Sequence, residues 1–313
     1  MPRRVPWSCR STLSYTTLEN YPDGTGPTIS SMPLQNQTHI HTNLTYPPSG
    51  LGAGTAPTAL LTHGIATTIL ELDPLVHTYA SAFFALPPNH TFIPGDAVAW
   101  VHRAASAPAS SSNLTTYDYI IHDVFTGGAA PLALYTTSFL RALRKLLKDD
   151  GVAAINFTGD LARPASPMHA VLRTIMHVFE GRCRAFRDVP TADKHGMADV
   201  EEDMLNLAVF CVASPAAWPL RFRDAVERDY LASKTRRRFL VPRGEMEVSL
   251  TGYGGEGGEG NGESENGEGG GSGMPEMVTE ANVGWWKAEQ LRAARAHWRG
   301  MREVVPARVW EGW

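Results

Sequence analysis

Three glycines at alternate positions are the first residues whose type and spacing point to chemistry. Gly50, Gly52 and Gly54 stand directly before the apolar stretch 55–64, which has the composition of a helix. Because glycine has no Cβ, such a turn lets backbone N–H groups and the positive end of the helix approach a nucleotide or another polar ligand. The spacing therefore predicts a nucleotide-binding loop between a strand and a helix.

Two carboxylates follow the glycines at a separation typical of nucleotide-binding folds. Glu71 and Asp73 lie at the end of a predicted strand over 67–72. In such folds an acidic residue about 20 positions after the loop accepts hydrogen bonds from the ribose hydroxyl groups. Both residues satisfy this spacing, and we predict that they bind the cofactor.

A third carboxylate follows the next predicted strand. Gly95 and Asp96 come directly after the strand expected over 90–94 and before a helix. At this place a carboxylate could bind the amino group of an adenine ring. Asp is also a common residue at the N-cap of a helix, so the alternative reading is a structural cap.

Asp123 is the candidate catalytic residue. It ends the hydrophobic strand predicted over 117–122, and the pair Gly127 and Gly128 then permits a tight loop. In open α/β sheets ligands bind at the carboxyl ends of the strands. There Asp123 could accept a proton from a nucleophilic amine or stabilise a positive cofactor, and the alternative is a helix cap. Neighbours in a strand alternate faces, so His122 is expected to be structural.

Alternation of strands and helices must position these side chains. Helices are predicted near 55–64, 74–85, 95–104, 134–149 and 166–179, and strands near 67–72, 90–94, 117–122, 151–157, 182–187 and 205–213. This order is typical of an α/β Rossmann-like, doubly wound sheet that is mostly parallel. The last strand follows a polar loop rather than a helix, so we expect it to be antiparallel.

The chain divides into four segments by composition. Residues 1–49 are rich in Pro, Ser, Thr and Asn and predict an irregular lead-in, whereas 50–250 carry the main domain. Residues 251–273 consist almost entirely of Gly, Glu, Asn and Ser, which predicts a disordered insertion. Residues 274–313 are helical in composition, and their tryptophans are expected to pack on the domain.

Composition narrows the partners and the compartment. The 313 residues are 43% hydrophobic with a net charge of -4, which argues against nonspecific binding of nucleic acid. No apolar stretch is long enough to cross a bilayer, so we expect no membrane segment in this chain. The three cysteines, Cys9, Cys183 and Cys211, are scattered, which disfavours disulfides and metal sites. A cytoplasmic location is therefore expected.

Taken together, the motifs resemble a known family. They read GLGAGTAP at 50–57, ELDP at 71–74, GDA at 95–97, YDYIIHD at 117–123, LYTTSFL at 134–140 and GVAAIN at 151–156. This pattern is similar to the spermidine/spermine synthase-like group within the class I S-adenosylmethionine-dependent transferases. The segment after residue 273 also resembles the C-terminal helix of fungal members.

The resemblance implies a role for each motif residue. The three glycines would surround the amino-acid portion of the cofactor, Glu71 would bind its ribose and Asp96 its adenine, and Asp123 would be the catalytic aspartate. Polyamine synthases hold their acceptor with a second aspartate three residues later, where this chain has Thr126. A neutral hydroxyl cannot pair with an ammonium group as a carboxylate does, which weakens the case for a polyamine acceptor.

The first strand of the sheet is expected directly before the glycines. Residues 44–49 occupy that place, and Pro47 and Pro48 among them cannot donate hydrogen bonds to a sheet. An altered first strand is therefore predicted.

Three functions agree with these features. The first is methyl transfer from S-adenosylmethionine to a small-molecule or protein acceptor. The second is aminopropyl transfer from decarboxylated S-adenosylmethionine to a polyamine, as in polyamine biosynthesis. The third is a noncatalytic remnant or binding module, motivated by the altered strand. A homodimer is a possible assembly, and no metal is expected.

Overall fold

The computed structural model describes residues 18–19, 38–43, 51–107, 116–124, 130–187, 204–253 and 275–304. The strands are β1 Leu18–Glu19, β2 Thr38–Asn43, β3 Ala66–Glu71, β4 Thr91–Pro94, β5 Tyr117–Asp123, β6 Leu147–Asp160, β7 Cys183–Arg187, β8 Met204–Val212, β9 Arg221–Phe222 and β10 Glu247–Val248. The helices are α1 Thr55–Thr62, α2 Pro74–Phe83, α3 Ala97–Ala105, α4 Thr137–Lys145, α5 Pro167–Val178, α6 Lys234–Phe239 and α7 Lys287–Val304.

Within this part of the chain, eight strands form one sheet in the order β10-β7-β8-β6-β5-β2-β3-β4. The pairs β2–β3, β3–β4, β2–β5 and β5–β6 are parallel. Strand β8 lies antiparallel between β6 and β7. The predicted α/β Rossmann-like fold with an antiparallel last main strand is thus confirmed, because helices α1 to α5 alternate with the parallel strands.

The prediction about the first strand is wrong. Strand β2, over Thr38–Asn43, lies in the middle of the sheet and pairs in parallel with β3 on one side and β5 on the other. The expectation that residues 1–49 form only an irregular lead-in is therefore also wrong for this stretch. Pro47 and Pro48 lie outside the described residues.

The strand order creates a place for a ligand. From β2 the chain runs outward through β3 to β4, and it then returns to β5 on the other side of β2. Connections leave the ends of β2 and β5 in opposite directions at such a switch point, which opens a crevice at the carboxyl edge of the sheet. In the register of the sheet Asn43 pairs with Glu71, and Thr42 pairs with His122. Glu71 and Asp123 therefore end the two strands that flank β2.

Helices α3, α4 and α5 cover the larger hydrophobic core. On α4 the apolar residues Phe139, Leu140 and Leu143 are fully buried, while Arg141 points outward. This spacing gives one apolar face of an amphipathic helix. Burial of each such side chain contributes roughly 1.5–3 kcal/mol, so this face fixes α4 against the sheet.

The C-terminal segment packs against α4 and α5. The Val278 N–H donates to Thr174 Oγ1 at 2.9 Å, and the Val278 carbonyl accepts from the Thr137 N–H at 2.9 Å. Trp286 is 1% exposed and joins the larger core, whereas Trp285 and Trp298 are about half exposed. Trp286 therefore packs in the domain, as predicted. The predicted disordered insertion over 251–273 lies outside the described residues from position 254 onward.

None of the helices in the described ranges has both the length and the apolar character needed to cross a membrane.

The cysteine prediction needs a correction. Cys183 on β7 and Cys211 on β8 are opposite each other in the antiparallel register, and their sulfur atoms are bonded at 2.06 Å. Both side chains are buried. The spacing in the sequence does not predict this pair, because 28 positions separate two residues that the sheet places side by side.

We expect the double variant Cys183→Ala/Cys211→Ala to lower the free energy of unfolding by roughly 2–4 kcal/mol, because a cross-link limits the freedom of the unfolded chain. Urea titration followed by circular dichroism measures this difference. The matched control repeats both titrations after full reduction, which should bring the two proteins much closer together. An equal stability of oxidised wild type and variant would contradict the cross-link.

Candidate functional site

The glycine loop forms the predicted tight turn into α1. Gly54 is the N-cap of the helix with φ 70° and ψ 23°, and Gly52 also has a positive φ of 52°. A Cβ on Gly54 would lie 3.1 Å from Leu86 Cδ1, so a larger residue there would be both strained and crowded. Gly50 lies outside the described residues.

Glu71 connects the turns that surround the crevice. Its side chain is fully buried, with Oε2 accepting from the Leu51 N–H at 2.9 Å and Oε1 accepting from the Asp73 N–H at 3.0 Å. Its carbonyl accepts from the Gly95 N–H at 2.9 Å. One residue therefore holds the glycine loop, the turn into α2 and the turn into α3. Its contact with a ribose stays a prediction.

Asp73 and Asp96 are both helix N-caps. Asp73 Oδ1 accepts from the Leu75 N–H at 2.8 Å at the start of α2. Asp96 Oδ1 accepts from the Val98 N–H at 2.9 Å at the start of α3. Asp96 therefore caps a helix, which was the alternative prediction for this residue. Both carboxylates nevertheless stand at the carboxyl edge of the sheet, where the ribose and adenine contacts were predicted.

Asp123 ends β5 and is almost fully buried, at 5% exposure. Asn156 pairs with it in the parallel register of β5 and β6, and Asn156 Nδ2 donates to Asp123 Oδ1 at 2.8 Å. The Tyr135 hydroxyl donates to the Asn156 carbonyl at 2.9 Å. These contacts place a carboxylate, an amide and a phenol close together where β5 ends beside β6.

Burial dominates the electrostatics of this group. It raises the pKa of Asp123 to about 6, against the opposing effect of the hydrogen bond from Asn156. Burial also lowers the pKa of His122 to about 4, so that this imidazole is neutral near pH 7. His122 Nε2 lies 3.1 Å from the Leu134 carbonyl, and its ring packs on Tyr135 and Phe139. His122 is thus structural, as its strand position predicted.

Asn156 and Tyr135 are site residues that the motifs do not predict. Asn156 lies in the strand predicted over 151–157, and an amide in the apolar run 152–157 is the signal that points to it. Tyr135 lay inside a predicted helix, and the structure instead places it in a short 3-10 helix, Leu132–Tyr135. Thr126 lies outside the described residues. Among the residues that are described, no group of three or more His, Cys, Asp or Glu could hold a metal ion.

The crevice has carboxylates at the ends of the two strands that flank β2. Glu71 and Asp123 end the strands on either side of β2, and two strand spacings separate their backbones by about 10 Å. Backbone amides of the glycine turn lie on one side of this gap, and the buried carboxylate of Asp123 lies on the other. Such a site can bind a nucleoside-like ligand and accept a proton next to it.

Comparisons with known proteins bear on this site. No family model matches the chain. An N-terminal histidine N-methyltransferase of Emericella nidulans is 43% identical over 265 residues, which are 84% of this chain and 43% of that protein. A polyamine aminopropyltransferase of Vibrio vulnificus is 34% identical over 111 residues, which are 34% of this chain and 35% of that protein.

The chain thus spans less than half the length of these two relatives. Among solved structures, a probable spermidine synthase from Corynebacterium glutamicum has a TM-score of 0.46 and 19% identity, and the match covers 70% of this chain and 67% of the other. One relative is a methyltransferase and the other an aminopropyltransferase, so the predicted resemblance to this group of transferases is confirmed.

We expect Glu71→Ala to lower the free energy of unfolding by about 1–3 kcal/mol, because one buried and one partly buried N–H group lose their acceptors. Chemical denaturation monitored by tryptophan fluorescence measures the change. The control is Glu245→Ala, which removes a carboxylate that is exposed and pairs with Arg243 at 3.0 Å. Exposed pairs contribute less than about 1 kcal/mol. Equal effects of the two variants would contradict the connecting role of Glu71.

Proposed function

We propose that this chain transfers a methyl group from S-adenosylmethionine to a nitrogen of the N-terminal histidine of a protein. The observation that carries this proposal is the buried Asp123 carboxylate, held by Asn156 at the switch point of the sheet. The relative of Emericella nidulans, matched over 84% of this chain, supports the choice of group and acceptor.

The cofactor contacts are assigned by position in the crevice. Backbone amides at Gly52 and Gly54 would contact the amino-acid portion of the cofactor, and Gly50 keeps the same predicted role from its place in the motif. Glu71 fixes that loop and, together with Asp73, supplies the oxygen atoms for the ribose. Gly95 and Asp96 adjoin the adenine. The left-handed turn at Gly52 and Gly54 supports the first assignment, because such turns expose successive N–H groups to a ligand.

Bound S-adenosylmethionine supplies an electrophilic methyl carbon on a positively charged sulfur. Asp123 would orient the acceptor nitrogen and accept the proton that it loses. In the transfer, the acceptor nitrogen would form a bond to the methyl carbon as the bond from that carbon to sulfur breaks, so that the cofactor would leave as a neutral thioether and the proton of the nitrogen would pass to Asp123. A protein α-amino group has a pKa of about 8, so a base with a pKa near 6 receives its proton more readily than an ordinary aspartate.

Aminopropyl transfer to a polyamine is the second candidate. The partial match to the Vibrio vulnificus protein and the presence of Asp123 favour it. Thr126 weighs against it, because a hydroxyl lacks the charge that would hold a second ammonium group. The noncatalytic alternative was based on an altered first strand. That reason no longer applies, since β2 occupies the centre of the sheet.

The remaining partner and compartment assignments are also proposals. The acceptor is a protein in the first candidate and a small molecule in the second. A homodimer is still a possible assembly, and we propose no nucleic-acid partner. The bonded pair Cys183–Cys211 favours an oxidising compartment over the cytoplasm that the cysteine spacing predicted, because reducing compartments keep thiols unpaired.

Incubation with S-adenosylmethionine and a peptide that begins with histidine tests the function. We expect the peptide to gain the mass of one methyl group, and tandem mass spectrometry then assigns the methylated nitrogen. A peptide of the same composition with histidine only inside the sequence is the control, and spermidine with decarboxylated S-adenosylmethionine tests the alternative. Transfer to spermidine alone would overturn the methyltransferase assignment.

The raised pKa of Asp123 predicts a pH dependence. Because only the ionised carboxylate can accept a proton, kcat/KM should rise with pH through about 6. Asp123→Asn should reduce kcat by at least about 100-fold, since it removes a general base. It should also abolish the rise near pH 6, while calorimetry should show unchanged binding of S-adenosylmethionine. A pH profile shared by both proteins would show that another group titrates.

A further inference from the structure

Asn156 is a buried polar residue that has no role of its own in the reaction proposed above. We propose that it is a positioning residue, whose amide holds the Asp123 carboxylate in the orientation that accepts the proton of the acceptor nitrogen. This inference rests on the proposed function, because it names a second residue for the same reaction.

The local geometry fixes the position of the Asn156 amide. Asn156 is 7% exposed and stands beside Asp123 on the neighbouring parallel strand. Its backbone is held on its other side by β8, where it pairs with Ala208, and its carbonyl accepts from the Tyr135 hydroxyl. The backbone that carries the amide is therefore restrained from both sides, and from this position the amide reaches Asp123 Oδ1 at 2.8 Å.

The surroundings explain why a donor is needed there. The Asp123 side chain itself is only 5% exposed at the end of β5. A carboxylate that ionises where so little water reaches it is destabilised unless a hydrogen bond compensates for the lost water. Asn156 supplies that hydrogen bond without carrying a positive charge. A cation in its place would favour the carboxylate so strongly that it would be a weak base.

The contact also restricts the direction of proton transfer. An amide that donates to Oδ1 fixes the rotation of the carboxyl group about its Cβ–Cγ bond. General-base catalysis requires the accepting oxygen to lie within hydrogen-bond reach of the proton that it removes. Asn156 would therefore act on the rate through Asp123, without touching the substrate.

Two substitutions of Asn156 test the inference. Asn156→Leu has a similar shape but no hydrogen-bond donor. Asn156→Ser has a hydroxyl that is too short to replace the amide. Two variants are used so that the test does not depend on the folding of one of them. The matched control is Thr158→Val, on the same strand as Asn156. It removes the hydrogen bond that Thr158 Oγ1 donates to Asn206 Oδ1 on β8 at 2.9 Å. Thr158 lies two positions along β6, on the same face of the sheet.

The first measurement is the titration of the Asp123 carboxyl carbon by ¹³C NMR, with its signal assigned by comparison with Asp123→Asn. We expect both Asn156 variants to move the midpoint upward by about one pH unit or more, because the hydrogen bond favours the ionised form. Thr158→Val should leave the midpoint unchanged. A midpoint in both Asn156 variants equal to that of the wild type would overturn the inference.

The second measurement is the pH profile of kcat/KM with the histidine peptide. The acidic limb should move upward by the same amount in the Asn156 variants, with binding of S-adenosylmethionine unchanged. An unmoved limb in both variants would overturn the positioning role. If the wild type methylates no peptide, the proposed function fails, and the NMR titration still decides whether Asn156 controls Asp123.

Discussion

The buried carboxylate of Glu71 is the constraint on which the candidate site depends. Three turns meet at this residue, and each of them gives an N–H group to its oxygen atoms. The turns follow different strands, so local sequence alone cannot set their relative positions. Hydrogen bonds to a charged group in a dry environment are among the strongest in proteins. Glu71 can therefore couple the geometry of the glycine loop to that of the helix caps at Asp73 and Asp96.

The sheet supplies the second constraint. Strand β2 fills the space between β3 and β5, and this places Glu71 and Asp123 on opposite sides of one strand end. The separation follows from the spacing of the strands rather than from any side chain. A register shift of one residue in β5 would turn Asp123 to the other face and bring His122 into its place. The apolar contacts of His122 with Tyr135 and Phe139 oppose such a shift.

Much of this organisation was predictable from the sequence. The periodic stretches gave α1 to α5 and the strands β3 to β8, because each has a strong local pattern. Strand β2 was missed, since its sequence THIHTN carries few of the apolar residues that mark a central strand. The contact between Asn156 and Asp123 and the bond between Cys183 and Cys211 were missed for a related reason. Each joins residues about 30 positions apart, and only the register of the sheet brings them together.

The burial of Asp123 has a cost that the rest of the fold must offset. Because the folded state raises its pKa from 3.8 to about 6, protonation favours folding, and this contribution is lost as the pH rises through that interval. At neutral pH the ionised carboxylate therefore lowers the free energy of unfolding by about 3 kcal/mol. A residue selected for stability alone would not be an aspartate at this place. The apolar cores on both faces of the sheet provide the compensating stability, so that a buried carboxylate can be kept at the carboxyl edge.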